Sequence, residues 1–167
     1  RFLASQTLVM ALEGIPAFYI HALLATPNDY EGVEKSGHNR AINRHRWDYG
    51  ALQERLADET TPQHIVLDAL KHRIDIRRRQ RAFHPNATQF TLQLDDRIFG
   101  LWRQSLDRDQ SIFALHNVSD QEVEIDPFAI NLIEGEDWVD LLSGEAITAE
   151  APIRFAPYQC RWISNRG

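Results

Sequence analysis

Residues 37–47, GHNRAINRHRW, gather most of the groups in this chain that could do chemistry. His38, Arg40, Arg44, His45 and Arg46 fall in one short stretch, with Asn39, Asn43 and Trp47 among them. Three chemistries suit such a set. Guanidinium groups grip phosphate, as nucleic-acid binders do. Imidazoles ligate metal ions. A mixture of planar donors and amides can also line a pocket for a neutral polar ligand.

The bulk composition weighs these against one another. The net charge is −6, from 18 Lys and Arg against 24 Asp and Glu. A general nucleic-acid binder would carry a basic excess, so no nucleic-acid partner is expected. His38 and His45 lack the Cys or carboxylate partners that a zinc site needs, so neither a metal nor a cofactor is expected. A second basic run, RRRQR at 77–81, is read as a solvated helix end whose cations complement the helix dipole, rather than as a phosphate contact. A pocket for an uncharged polar molecule is the third reading.

The rest of the composition is that of a soluble globular protein, 43% hydrophobic and 25% charged. No apolar run reaches the roughly 18 residues that span a bilayer. The longest, near 15–25, is interrupted by Pro16 and His21. Nothing at the start resembles a signal peptide, and Arg1 leads straight into a helical pattern, as expected of a chain cut within its fold. The single Cys160 cannot form an internal disulfide and fits a cytoplasmic protein. The sequons at Asn86 and Asn117 are taken as chance matches.

The elements that must position the basic stretch can be traced from the pattern. Residues 2–13 read as a helix apolar on nearly every side, stopped by Gly14 with Pro16 beyond. IPAFYI (15–20) is continuously apolar, as in a strand buried on both faces of a parallel sheet. A long loop over 22–47 follows. Thr60-Thr61-Pro62 then opens an amphipathic helix running to about Phe83, with Ile65, Val66, Leu70, Ile74 and Arg77 on one face. From His84-Pro85 the period becomes two. Strands are expected around Phe90–Leu94, Ile98–Arg103, Ile112–His116, Val123–Ile125, Leu132–Ile133, Trp138–Leu142 and Ile153–Ile163, with Trp102, Trp138 and Trp162 in the core.

A lone parallel-type strand needs neighbours from elsewhere. The fold class expected is therefore α/β plus all-β. Residues 1–85 form the last unit of a (β/α)8 TIM barrel, and residues 86–167 an antiparallel β-sandwich domain. In such barrels ligands bind at the C-terminal ends of the strands, which is where the segment after Ile20 lies.

GIPAFYI resembles the eighth barrel strand of the α-amylase superfamily, glycoside hydrolase family 13. The segment LLATPNDYEGVEKSGHNRAINRHRW, with Asn28-Asp29 and the Arg40-x-Ile42-Asn43-Arg44-His45 motif, is similar to the sucrose phosphorylase and glucosylglycerate phosphorylase branch, over residues 1–50. The resemblance implies retaining α-glucosyl transfer to inorganic phosphate, giving α-glucose 1-phosphate from sucrose, sucrose 6′-phosphate or glucosylglycerate. Its partners would be a small sugar substrate, inorganic phosphate, the remainder of the barrel and, as in some members, a second copy in a homodimer. Its catalytic carboxylates come from earlier strands, so no catalytic residue is assigned in this chain. Matched residue by residue, Arg40 is the arginine that binds the glucose 4-hydroxyl in the −1 subsite and pairs with an upstream aspartate. His21, Asn28, Asp29 and Arg44 are further candidates for substrate contact. Arg44 and Asn43 are expected chiefly to brace the loop, and Trp47 to anchor it. His21 departs from the common family pattern, in which Gly stands at the strand end. A hydrolase or transglucosidase of the same fold, and a non-catalytic β-sandwich that binds carbohydrate or packs on another domain, are the alternatives.

Overall fold

A computed structural model describes residues 1–132 and 137–166. The described residues divide into two compact units, one of Arg1–Pro16 with Arg73–Gly167, the other of Ala17–His72. The divisions fall between Pro16 and Ala17 and, inside the long helix, between His72 and Arg73.

Among the described residues the first unit is built on eight strands: β1 Thr88–Leu92, β2 Ile98–Gln104, β3 Ser111–Asn117, β4 Val123–Ile125, β5 Trp138–Asp140, β6 Ala146–Ile147, β7 Ile153–Phe155 and β8 Cys160–Ser164. Six form one sheet in the order β1-β2-β3-β8-β5-β6, and β4 pairs with β7 in a second. Every pairing is antiparallel. Alternation along the strands sorts the residues into two layers. Ile98, Phe113, Leu115 and Ile163 of the large sheet meet Val123, Ile125, Ile153 and Phe155 of the small one in a shared apolar core. Trp138 is buried in this core and Trp102 packs against it partly exposed.

The opposite face of the large sheet is also covered. Leu101, Ile112, Ala114 and Trp162 are buried there, and helix α1, Phe2–Ala11, packs on β3 and β8. Met10 and Ala11 of α1 are fully buried. A sheet loaded on both faces explains why β3 is buried along nearly its whole length, with Ile112–Leu115 an unbroken apolar run.

Two arginines hold α1 in place. Arg77 donates to the carbonyls of Met10 at 2.5 Å and Gly14 at 2.9 Å. Arg103, fully buried in β2, donates to those of Ala11 at 2.9 Å and His84 at 3.1 Å. The C-terminal carbonyls of a helix have no partner within it, and these guanidinium groups supply one. Both cations also lie over the Phe83 ring, 5.1 and 5.8 Å from its centroid. The reading of RRRQR as a solvated helix end therefore fails at Arg77. Its helical position turns it onto the buried face with Leu70, and burial lowers its pKa to about 10. Arg81 pairs with Asp107, while Arg78 and Arg79 are exposed.

Elsewhere the boundaries shift by physical causes. Helix α5, Pro62–Arg79, ends before Phe83, and a 3-10 turn covers Arg81–Phe83. The stretch expected as one strand over Ile153–Ile163 is cut into β7 and β8 by a turn containing Tyr158 at φ 58°. Leu132 lies outside any strand, and Ile133 falls outside the described residues. The strand expected over Ile15–Ile20 does not form. Residues 15–19 pair with no other strand, and Ile15 is 83% exposed, because the described residues offer no parallel neighbour to cover it. No helix among the described residues is long and apolar enough to cross a membrane. Asn117 is buried and donates to the carbonyls of Gln121 and Ala156, so its sequon sits in a structural role.

Candidate functional site

The segment expected as one long loop over 22–47 is organised into short helices, α2 Ile20–Leu23, α3 Tyr30–Ser36 and a 3-10 turn over Asn39–Asn43, and α4 Tyr49–Ala57 follows it. Each is locally encoded. Asp29 caps α3, its carboxylate accepting from the Gly32 N–H at 2.8 Å. Gly37 ends α3 in the left-handed region at φ 66°. Bonds from Ala41 N–H to the His38 carbonyl and from Arg44 N–H to the Ala41 carbonyl make the 3-10 turn. Asp48 caps α4 through the Ala51 N–H.

Three ties close this segment on itself. The Asp29 N–H donates to the Ile42 carbonyl at 2.8 Å. The Tyr19 hydroxyl donates to the Asn43 carbonyl at 3.0 Å. The Trp47 indole N–H donates to the Thr26 hydroxyl at 2.9 Å, and the same hydroxyl lies 3.1 Å from His21 Nδ1. Indole N–H is only a donor, so Thr26 accepts from Trp47 and its own hydrogen is free for the His21 ring. His45 packs edge-on against Trp47, ring centroids 4.8 Å apart. Trp47 is thus an anchor, as expected. Asn43 and Arg44 do not brace the loop with their side chains; Asn43 serves through its carbonyl, and the bracing comes from Tyr19, Thr26 and Asp29.

These ties frame an open cleft of about 850 Å³, lined by α3 and by the turn that follows it. Of the candidate residues, the structure brings Asp29, Arg40 and Arg44 to its wall. His21 and Asn28 are not among the lining residues. His21 is engaged with Thr26 and stacks edge-on with Tyr19 at 5.1 Å, and the exposed Asn28 side chain lies 3.3 Å from the Tyr30 hydroxyl. Lys35, His38, His45 and Arg46 join the wall instead. Spacing alone did not single out Lys35, because its helical placement on the cleft side depends on where the Asp29 cap starts α3.

The two acidic residues of the wall are already engaged. Asp29 is held by its cap, and Glu31 forms an i,i+4 pair with Lys35 at 2.5 Å. That contact raises the Lys35 pKa, chiefly through its hydrogen bond to Glu31. The cleft therefore presents guanidinium donors and imidazoles outward, with no free carboxylate pair of the kind that splits a glycosidic bond.

Comparison with known proteins agrees with this architecture. No protein-family model matches the chain. It is 34% identical over 163 residues to the glucosylglycerate phosphorylase of Allomeiothermus silvanus, covering 98% of this chain and 26% of that protein. It is 33% identical to the glucosylglycerate phosphorylase of Escherichia coli K12, covering 98% of this chain and 28% of the relative. The glucosylglycerate phosphorylase of Spirochaeta thermophila is 39% identical over 124 residues. The chain thus spans about a quarter of the length of these relatives. Among solved structures, AmyP in complex with maltose matches 99% of the chain and 34% of its own, with a TM-score of 0.71 at 15% identity. An Anoxybacillus α-amylase matches 98% of the chain and 32% of its own, with a TM-score of 0.70 at 14% identity. At such low identity the structural likeness speaks to the fold, while the sequence relatives speak to the branch. In sequence the chain is similar to glucosylglycerate phosphorylases and in fold to α-amylases, and it fits the C-terminal portion of a glycoside hydrolase family 13 phosphorylase.

Proposed function

We propose that the protein containing this chain is a retaining α-glucosyl phosphorylase that transfers glucose from glucosylglycerate to inorganic phosphate, giving α-glucose 1-phosphate. The observation that carries this reading is Arg40 on the cleft wall, its side chain without a hydrogen bond or ion pair to any described residue. Three relatives of the same name support the choice of donor.

Arg40 binds the 4-hydroxyl of the glucosyl unit with one edge of its guanidinium and an upstream carboxylate with the other, a division that a lysine ammonium cannot reproduce. The residues after Ile20 thereby form the end wall of a pocket for a single glucosyl unit, at the mouth of a (β/α)8 barrel completed by the rest of the protein, where residues 15–19 would meet the parallel neighbours they lack here. The nucleophile and the general acid, which retaining transfer places about 5 Å apart, are not assigned to this chain, since Asp29 and Glu31 of the wall are committed elsewhere. The 167-residue chain by itself is expected to turn over nothing.

The test uses the intact protein with glucosylglycerate, sucrose or sucrose 6′-phosphate, each with inorganic phosphate, and measures α-glucose 1-phosphate. Phosphate-dependent product from glucosylglycerate, lost in Arg40→Ala, is the expected result. Free glucose appearing without phosphate would assign a hydrolase instead. No release from any donor would reject the reading.

A further inference from the structure

We infer that the cleft of about 850 Å³ contains, beside Arg40, an oxyanion-binding site formed by Arg44 and Arg46. The site takes a phosphate or carboxylate group.

Charge balance is the first reason. Lys35, Arg40, Arg44 and Arg46 face Asp29 and Glu31 across one wall, a local cationic excess in a chain whose net charge is −6. Only Lys35 has its counter-ion within the wall, in Glu31. Asp29 spends its carboxylate on the Gly32 N–H. Neither Arg44 nor Arg46 makes a side-chain hydrogen bond, ion pair or ring contact to any described residue. Guanidinium groups gathered without an anion repel one another, and a cationic concavity concentrates anions from solution.

Rigidity is the second reason. Arg44 and Arg46 flank His45, whose ring is packed against Trp47, and Trp47 is tied to Thr26. Arg44 also closes the 3-10 turn through its N–H bond to the Ala41 carbonyl at 3.0 Å. The backbone that carries both cations is therefore pinned on each side of them, which lowers the entropy cost of ordering the forks around a ligand. The planar fork suits phosphate and carboxylate alike, because both present two oxygens at the spacing of its N–H groups.

This inference rests on the proposed phosphorolysis for its place in a reaction, but not for the binding itself. Phosphorolysis brings two oxyanions to the protein, inorganic phosphate and the carboxylate of an acidic acceptor of the glycerate type.

The intact protein is compared with its Arg44→Gln, Arg46→Gln and double variants, with Arg44→Lys as a control that keeps the charge and loses the fork. Calorimetric titration with inorganic phosphate and, separately, with glycerate reads binding without turnover. Affinity for at least one of the two should fall about tenfold in each single variant, as expected from removing one charge-assisted contact. The fall should be smaller in Arg44→Lys. In turnover, a raised KM for phosphate with an unchanged KM for glucosylglycerate assigns the site to phosphate, and the reverse assigns it to the acceptor carboxylate. Unchanged affinity for both anions in the double variant, with the fold intact by circular dichroism, overturns the inference. Anion binding that depends on Arg44 and Arg46 in a protein that releases no glucose 1-phosphate would sustain the site and reject the phosphorylase.

Discussion

The Trp47 indole N–H and the Thr26 hydroxyl meet at 2.9 Å across 21 positions of sequence, and between them lies the whole wall of the cleft. One hydrogen bond thus sets the ends of the segment that carries Arg40. Closing a loop of that length costs entropy that local helices alone do not repay. The inner ties, from Asp29 to Ile42 and from Tyr19 to Asn43, share the cost.

Trp47→Phe keeps a ring against His45 and removes the donor. Its expected cost is about 1 kcal/mol of local stability, that of one neutral hydrogen bond. Amides of residues 26–47 should exchange several times faster than in the parent, while those of β3 stay unchanged. Hydrogen exchange followed by mass spectrometry checks both.

Gly32 is the position at which the Asp29 cap tolerates no side chain. A Cβ there would lie 2.6 Å from an Asp29 carboxylate oxygen, closer than real contacts allow. Gly32→Ala should push the cap open and cost roughly 1 kcal/mol at the start of α3, despite the better helix propensity of alanine. Because Asp29 also holds Ile42 beside Arg40, the KM for the glucosyl donor should rise in the same variant. A stabilised protein with unchanged KM would show that the cap does not matter.

Arg103 makes a prediction of larger size. It is fully buried, and its guanidinium supplies the carbonyls of Ala11 and His84. Arg103→Met leaves those carbonyls unpaired beneath α1, at an expected cost of about 3 kcal/mol. Arg78→Met, on the exposed side of α5, should change stability by less than about 0.5 kcal/mol. Urea midpoints of the two variants measure the contrast.

His116 lies in β3 with neither ring nitrogen partnered among the described residues, flanked by Phe99 and, across the ladder, Cys160. Burial lowers its pKa from 6.5 to about 3. The unfolded chain therefore takes up a proton that the folded chain refuses, and stability is lost as pH falls below about 6.5, until about 3. The slope from this one group is about 1.4 kcal/mol per pH unit. His116→Leu should remove that slope, so the stability difference between parent and variant should shift towards the variant between pH 7 and pH 4.5. Urea titrations at the two values measure it, and a difference independent of pH would show that His116 is solvated or partnered in solution. The Cys160 thiol beside it, pushed up to about 11 by burial, should resist alkylation in the folded protein at neutral pH.

The period-two pattern from Phe90 onward placed β1 to β5 within a few residues, because alternation is a local consequence of pleating, but it merged β7 with β8 and missed β6. The start of α5 at Pro62 was legible for the same reason, as cap and proline act within one turn. Of the residues that the motif singled out, Asp29, Arg40 and Arg44 line the cleft, and His21 and Asn28 do not. The pattern put Arg77 on the apolar face of α5 but could not tell that it would supply the carbonyls of Met10 and Gly14. Nor could it say that the Asp29 N–H would meet the Ile42 carbonyl or that Trp47 would reach Thr26. Those outcomes depend on partners distant in the chain. A strand needs a neighbour, a buried cation needs carbonyls at its fork, and a cleft needs both ends of its loop tied. Tertiary structure alone decides which residues supply them.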